Sequence, residues 1–186
     1  MKGISQLFCK IACSSRKNHI IGSWLDFTII TCNLCLMRLV AKSAIQIQKP
    51  VGEVFEAIVD PSKMTQYFIS ESSGRLEEGA ELQWKFAEFP DYAFPVNQVR
   101  IEKNRLVSFV WDKDTRVTIS LEEQPDHSVV VKVEEDGKEL SDENIQWALG
   151  NTGGWANFLA FMKAYVEHGI NLRIGAFDFM KGQVPG

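Results

Sequence analysis

A chain of 186 residues with 45% hydrophobic and 24% charged side chains has the make-up of one globular domain, and it shows no internal repeat. Its net charge of −4, with the basic residues scattered, argues against nucleic acid as a partner and against a polybasic membrane patch. The apolar runs are too short to predict a membrane span.

Residues 1–36 stand apart from the rest. They carry Lys2, Lys10, Arg16 and Lys17 against Asp26, a net of +3 that leaves −7 for the remainder. All four cysteines, Cys9, Cys13, Cys32 and Cys35, lie there as well. Two Cys pairs could offer four thiolates to zinc, but apolar residues flank them and the turn glycines of a zinc knuckle are missing, so no metal and no cofactor are expected. The apolar run from Phe27 to Met37 is broken by Thr and Asn and comes late for a secretory signal, which leaves the cytoplasm as the expected location. Met37 directly precedes a strand-like run. The expectation is a domain over 37–186, with 1–36 an extension outside it and Met37 an alternative start.

The first strand follows. Leu39, Ala41, Ser43, Ile45 and Ile47 alternate with Val40, Lys42, Ala44, Gln46 and Gln48 up to Pro50, the pattern of a half-buried strand. Pro50 fits the first position of a helix whose stripe is Val51, Val54, Phe55 and Ile58. Asp60-Pro61 ends it and starts a second short helix with Met64, Tyr67 and Phe68 as its packing face. The polar run Ser70–Gly79 reads as an exposed strand or loop.

The next stretch is a series of hairpin-linked strands. Leu82, Trp84 and Phe86 form one inward set, and Tyr92–Glu102 is an irregular strand with a bulge expected near Pro95. Val107, Phe109 and Trp111, then Val117, Ile119 and Leu121, then Val129, Val131 and Val133 give three more. Lys103-Asn104, Asp112–Thr115 and Pro125-Asp126-His127 are the turns between them. The run Glu134-Glu135-Asp136 ahead of Gly137 reads as a solvated hairpin end.

One long helix closes the order, from Ser141 to Gly169. Ser141 suits an N-cap, Asp142 and Glu143 sit where the helix dipole favours negative charge, and Gly169 suits the residue past the C-terminus. At ~1.5 Å per residue it spans roughly 40 Å. Ile145, Ala148, Leu149, Thr152, Trp155, Ala156, Leu159, Met162 and Val166 make one expected buried stripe, with Phe158, Phe161 and Tyr165 beside it. Gly153 and Gly154 suggest close approach or deliberate space. The order predicts an α+β domain, a helix-grip fold in which a curved antiparallel sheet wraps the last helix. Aromatic rings on both surfaces are expected to prop the helix off the sheet.

The order, with particular residues, resembles the START-like (SRPBCC) superfamily and, within it, the family named for the activator of a heat-shock-protein ATPase. The residues that carry this are Ile45, Ile47, Pro50, Val54, Phe55, Ile58, Asp60-Pro61, Met64 and Tyr67-Phe68 at the front, and Trp155, Leu159, Met162 and Tyr165 in the last helix. The match covers about Arg38 to Phe179, and Tyr67 stands where many members have Trp. The resemblance implies a hydrophobic cavity between sheet and helix, closed by the two short helices and the strand loops. Matching faces makes Trp84, Phe86, Phe109, Trp111, Trp155, Leu159 and Met162 the expected ligand-binding residues, with Phe68 near a mouth.

Chemistry is thin by comparison. No cysteine follows Met37, His127 lies in a turn, His168 ends the helix, and no second ligand follows either at metal-binding spacing. The function expected is therefore binding of a small apolar or lipid-like molecule. One alternative is a co-chaperone or protein-interaction domain with an exposed patch. The other is a cyclase- or hydrolase-like enzyme recruiting Tyr92, Arg100 and Glu102, although a surface position suits Arg100 better. The expected partners are a small apolar molecule and a possible protein, with the chain a monomer or homodimer, and no catalytic residue is assigned.

Overall fold

A computed structural model describes residues 38–112 and 115–183. The extension, with its cysteines, the zinc and signal readings and the alternative start at Met37, lies outside the described residues, as does the tip of the Asp112–Thr115 turn. The elements are β1 (Arg38–Ile47), α1 (Val51–Val59), α2 (Pro61–Met64), β2 (Glu71–Ser72), β3 (Leu82–Lys85), β4 (Phe94–Glu102), β5 (Leu106–Asp112), β6 (Thr115–Glu123), β7 (Val129–Glu139), α3 (Asp142–His168) and a 3-10 turn, Asp178–Met180. This is the expected order, and the strands form one curved antiparallel sheet in the order β1-β7-β6-β5-β4-β3-β2.

Strand alternation sets what faces the helix. Val107 and Phe109 on β5, Val117, Ile119 and Leu121 on β6, and Val129, Val131 and Val133 on β7 are all buried. Asn104 in the β4–β5 turn and His127 in the β6–β7 turn take the left-handed backbone, a conformation Asn and His tolerate better than most residues. β4 departs from alternation: the bulge expected near Pro95 lies between Asn97 and Arg100, and Gln98 has φ 50°. The extra residue brings Val96 and Val99, three apart, to the same buried side. Arg116 fastens the bulge, donating to the Gln98 side chain at 2.6 Å and to Ser108 Oγ at 3.2 Å.

The helix ends form as the sequence indicates, with one shift. Pro50 is the residue before α1, its carbonyl accepting from Glu53 N at 2.9 Å, and Val51 is the first helical residue. Asp60 caps α2 by accepting from Ser62 N at 2.8 Å. Ser141 Oγ accepts from Asn144 N at 3.1 Å, and Gly169 has φ 68° past the end of α3.

The long helix is buried over only part of its length. Trp155, Phe158, Leu159 and Met162 are its buried residues, whereas Ile145 is 36% and Leu149 63% exposed. Ala156 is exposed too. The expected stripe thus holds at Trp155, Leu159 and Met162, with Val166 half-buried, and fails at Ile145, Leu149 and Ala156. The C-terminal half is stapled to β1, with Lys163 Nζ donating to Gln46 O at 2.8 Å and Glu167 Oε1 accepting from Gln48 N.

Candidate functional site

The aromatic residues meet in one cluster centred on Phe68. Tyr67 and Phe68 follow α2, where Asp60-Pro61 has turned the chain under the sheet. The Tyr67 hydroxyl donates to Ala57 O at 2.9 Å, and burial pushes its phenol far above the ordinary range. That anchor fixes the next side chain. Phe68 lies 5.8 Å from Trp84 and 5.4 Å from Phe86 on the sheet side, and 4.7 Å from Phe158 and 6.1 Å from Trp155 on the helix side. The contacts to Trp84, Phe86 and Phe158 are edge-on, which suits the quadrupoles of the π faces, and the Trp155 contact is tilted. Phe68 is the prop between sheet and helix.

Beside it lies a pocket of about 310 Å³. Its walls are Tyr67 and Phe68, then Phe86, Glu88 and Phe89 from the β3–β4 connection, Phe94 and Trp111 from the sheet, and Gly150, Asn151, Gly154, Trp155, Asn157, Phe158 and Phe161 from α3. Arg173, Phe177 and Met180, from the segment after α3, complete it. A Cβ built on Gly150, Gly153 or Gly154 would meet nothing within 4 Å. The glycines therefore mark space, not close approach.

Of the residues expected to bind a ligand, Phe68, Phe86, Trp111 and Trp155 stand in this wall. Trp84, Phe109, Leu159 and Met162 lie behind it in the core, each 1% exposed or less. The buried Trp84 Nε1 has no hydrogen-bond partner among the described residues. Tyr92, Arg100 and Glu102 are exposed and outside the pocket. Among the described residues no group of three or more His, Cys, Asp or Glu is placed to hold a metal, and no helix is long and apolar enough to cross a membrane.

Two polar features were not expected. The first is Glu135, which is 1% exposed and not the solvated hairpin end its neighbours suggest. Its Oε1 accepts from Trp111 Nε1 and Thr115 Oγ1, both at 2.9 Å. Its Oε2 accepts from Asn151 Nδ2 and Trp155 Nε1, both at 2.8 Å. The signal for it was strand parity: Glu135 continues Val129, Val131 and Val133, and Thr115 likewise precedes Val117 on the inward side of β6. Asn151 and Trp155 are one helical turn apart, so they share a face.

The second is an ion pair across the pocket wall. Arg173 donates to both oxygens of Glu88, with Nη2 to Oε2 at 2.6 Å, and its Nε donates to Phe68 O at 3.0 Å. Its guanidinium also lies 4.7 Å from the Phe177 ring centroid. Burial raises the Glu88 carboxyl and is the largest single influence, but the Arg173 hydrogen bonds, the Glu88 backbone N–H and the Arg173 charge together outweigh it, and the net shift is downward. Nothing local in the sequence pairs two residues this far apart in the chain.

Residues 48–167 match the family described as Activator of Hsp90 ATPase homolog 1-like protein. The protein SSP2350 from Staphylococcus saprophyticus is similar at 32% identity over 73% of this chain and 96% of that one, with a TM-score of 0.64. DynU16, from the dynemicin biosynthetic locus, shares the fold at 20% identity over 71% of this chain and 48% of its own, with a TM-score of 0.62. The Aha1 dimer from Colwellia psychrerythraea does so at 15% identity, over 70% and 98%, with a TM-score of 0.57. A search of the curated proteins finds no match.

Proposed function

The chain belongs to the Activator of Hsp90 ATPase homolog 1-like family, and from that premise we propose that it binds a small, largely apolar molecule between the sheet and α3. The observation that carries this reading is the pocket of about 310 Å³ walled by aromatic rings, with glycines where the helix passes it. That volume is at the lower end of the range for small-molecule sites, which suits a compact ring system better than a long acyl chain. Polar groups are few and fixed. Glu88 and Arg173 neutralise each other at the wall, while Glu135 holds the Trp111 and Trp155 indoles in one orientation, so the wall is pre-organised before a ligand arrives.

The test is native mass spectrometry of protein purified from its own host, compared with a Gly154→Leu variant whose new side chain would occupy the pocket. A small molecule retained by the first and lost from the second is the expected result. Two clean apo masses, together with no uptake of added apolar ring compounds, would reject the reading.

A second reading draws on the exposed face of α3, where Ile145 and Leu149 present apolar surface ahead of the buried half. That face suits contact with a protein, and the Colwellia relative is described as a dimer. Light scattering on the wild type and on Leu149→Glu separates the two. A dimer lost on substitution supports a protein interface, and a monomer in both cases removes self-association.

A further inference from the structure

The charge around the pocket points to the kind of molecule it takes. Glu88 and Arg173 are the charged residues of its wall, and they are paired with each other. Directly behind the wall sits Glu135, all four of whose hydrogen bonds come from neutral side chains. The indole N–H groups of Trp111 and Trp155 and the Asn151 Nδ2 group are donors only, so these contacts converge on Glu135 as an acceptor. Among the described residues no Lys, Arg or His is paired with Glu135. The pocket and its backing thus carry one formal negative charge, that of Glu135, to which no cation is paired among the described residues.

The same contacts act on the rings. An indole that donates its N–H to a carboxylate becomes richer in π electrons, and Trp is already the strongest cation–π partner among the side chains. Trp111 and Trp155 stand 5.5 Å apart between centroids, with Phe68 within 6.4 Å of both. In surroundings of low dielectric, a fixed charge one ring-width away is felt much more strongly than in water.

We propose that the pocket selects an organic cation: a compact ring system carrying a tertiary or quaternary ammonium group, held against the faces of Trp111 and Trp155. This rests on the apolar-ligand reading above and deepens it. It opposes a carboxylated ligand such as a free fatty acid, which Glu135 would repel.

Equilibrium dialysis of the full chain against three matched probes tests it: 1-naphthylmethyl-trimethylammonium, its neutral isostere 1-neopentylnaphthalene, and 1-naphthylacetate. The ammonium compound is expected to bind at least roughly tenfold more tightly than the neutral isostere, with the acetate weakest. Gly154→Leu, which adds a side chain where a Cβ has open space, is expected to fold and to lose the ammonium compound. Neutral binding equal to or tighter than cation binding, or tightest binding of the acetate, overturns cation selection while leaving a ligand pocket. Equal uptake of the ammonium compound by Gly154→Leu overturns it as well, because binding would then be elsewhere. No uptake of any probe at millimolar concentration overturns both this inference and the reading on which it rests.

Discussion

Glu135 shows how much one side chain can organise. A carboxylate taken out of water is costly unless its oxygens are fully hydrogen-bonded, and here two donors reach each oxygen. Removing it reverses the problem, because four donors then lose their acceptor inside the core. Glu135→Ala is expected to lower unfolding stability by about 3 kcal/mol or more in urea titration, with a shift in tryptophan emission as the indoles are released. An effect below about 1 kcal/mol would show that the network is solvated.

Glu88 and Glu167 give a second residue-level outcome. Each is raised by burial, but lowered overall by its hydrogen bonds together with neighbouring positive charge, Glu88 by Arg173 and its own backbone N–H, Glu167 by Gln48 N, Lys163 and His168. A carboxyl whose folded pKa is depressed contributes stability that is complete above the ordinary glutamate value and is lost as pH falls through the folded one. The melting temperature should therefore fall between about pH 5 and about pH 3, and less steeply in Glu88→Gln. Equal slopes in variant and wild type would remove Glu88 from the acid limb.

At the scale of elements, the adjacent glycines of α3 separate stability from binding. Gly153 is exposed and absent from the pocket wall, while Gly154 lines it, and neither would bring a Cβ within 4 Å of another atom. Gly153→Ala is expected to stabilise the protein by roughly 0.5–1 kcal/mol through helix propensity, with ligand uptake unchanged. Gly154→Leu should gain stability likewise and lose uptake. A Gly153→Ala variant no more stable than wild type would mean the helix is frayed there.

The same helix shows which signals the sequence carries. Its caps at Ser141 and Gly169 are local chemistry and were legible, as were the strands, whose alternation is a local pattern. Ile145 and Leu149 are exposed despite the stripe, because periodicity says which residues share a face, not how far the sheet extends beneath it. Glu135 was legible by parity on β7 and obscured by its charge. Arg173 and Glu88 come from separate irregular segments, where no period exists to read. Half of the expected ligand-binding set, Trp84, Phe109, Leu159 and Met162, shares faces with the pocket residues but lies in the core, a distinction of depth that face assignment does not contain.

For the whole molecule, the segment after α3 matters more than its lack of regular structure suggests. Arg173 ties it to Glu88 and to Phe68 O, and Phe177 lies 6.0 Å from Phe161 on the helix. Arg173→Ala leaves Glu88 buried without its cation, and a loss of about 2–4 kcal/mol is expected. Protease cleavage near residues 170–180 should appear earlier in that variant. The double variant Glu88→Gln/Arg173→Ala should recover part of the stability; no recovery would assign the cost to lost packing of the Arg173 side chain.

The pairing of β1 with β7 also governs how the chain can be made. Lys42 meets Glu134, 92 residues later, and Gln48 meets Glu167, 119 residues later. A ribosome delivers β1 long before either partner, so the first strand must wait with its apolar side and its free edge uncovered. Closure of such distant contacts is slow because the chain entropy is lost before the contacts form. Synthesis itself is thus the period in which this protein is most open to aggregation, and it ends only when the last helix has emerged.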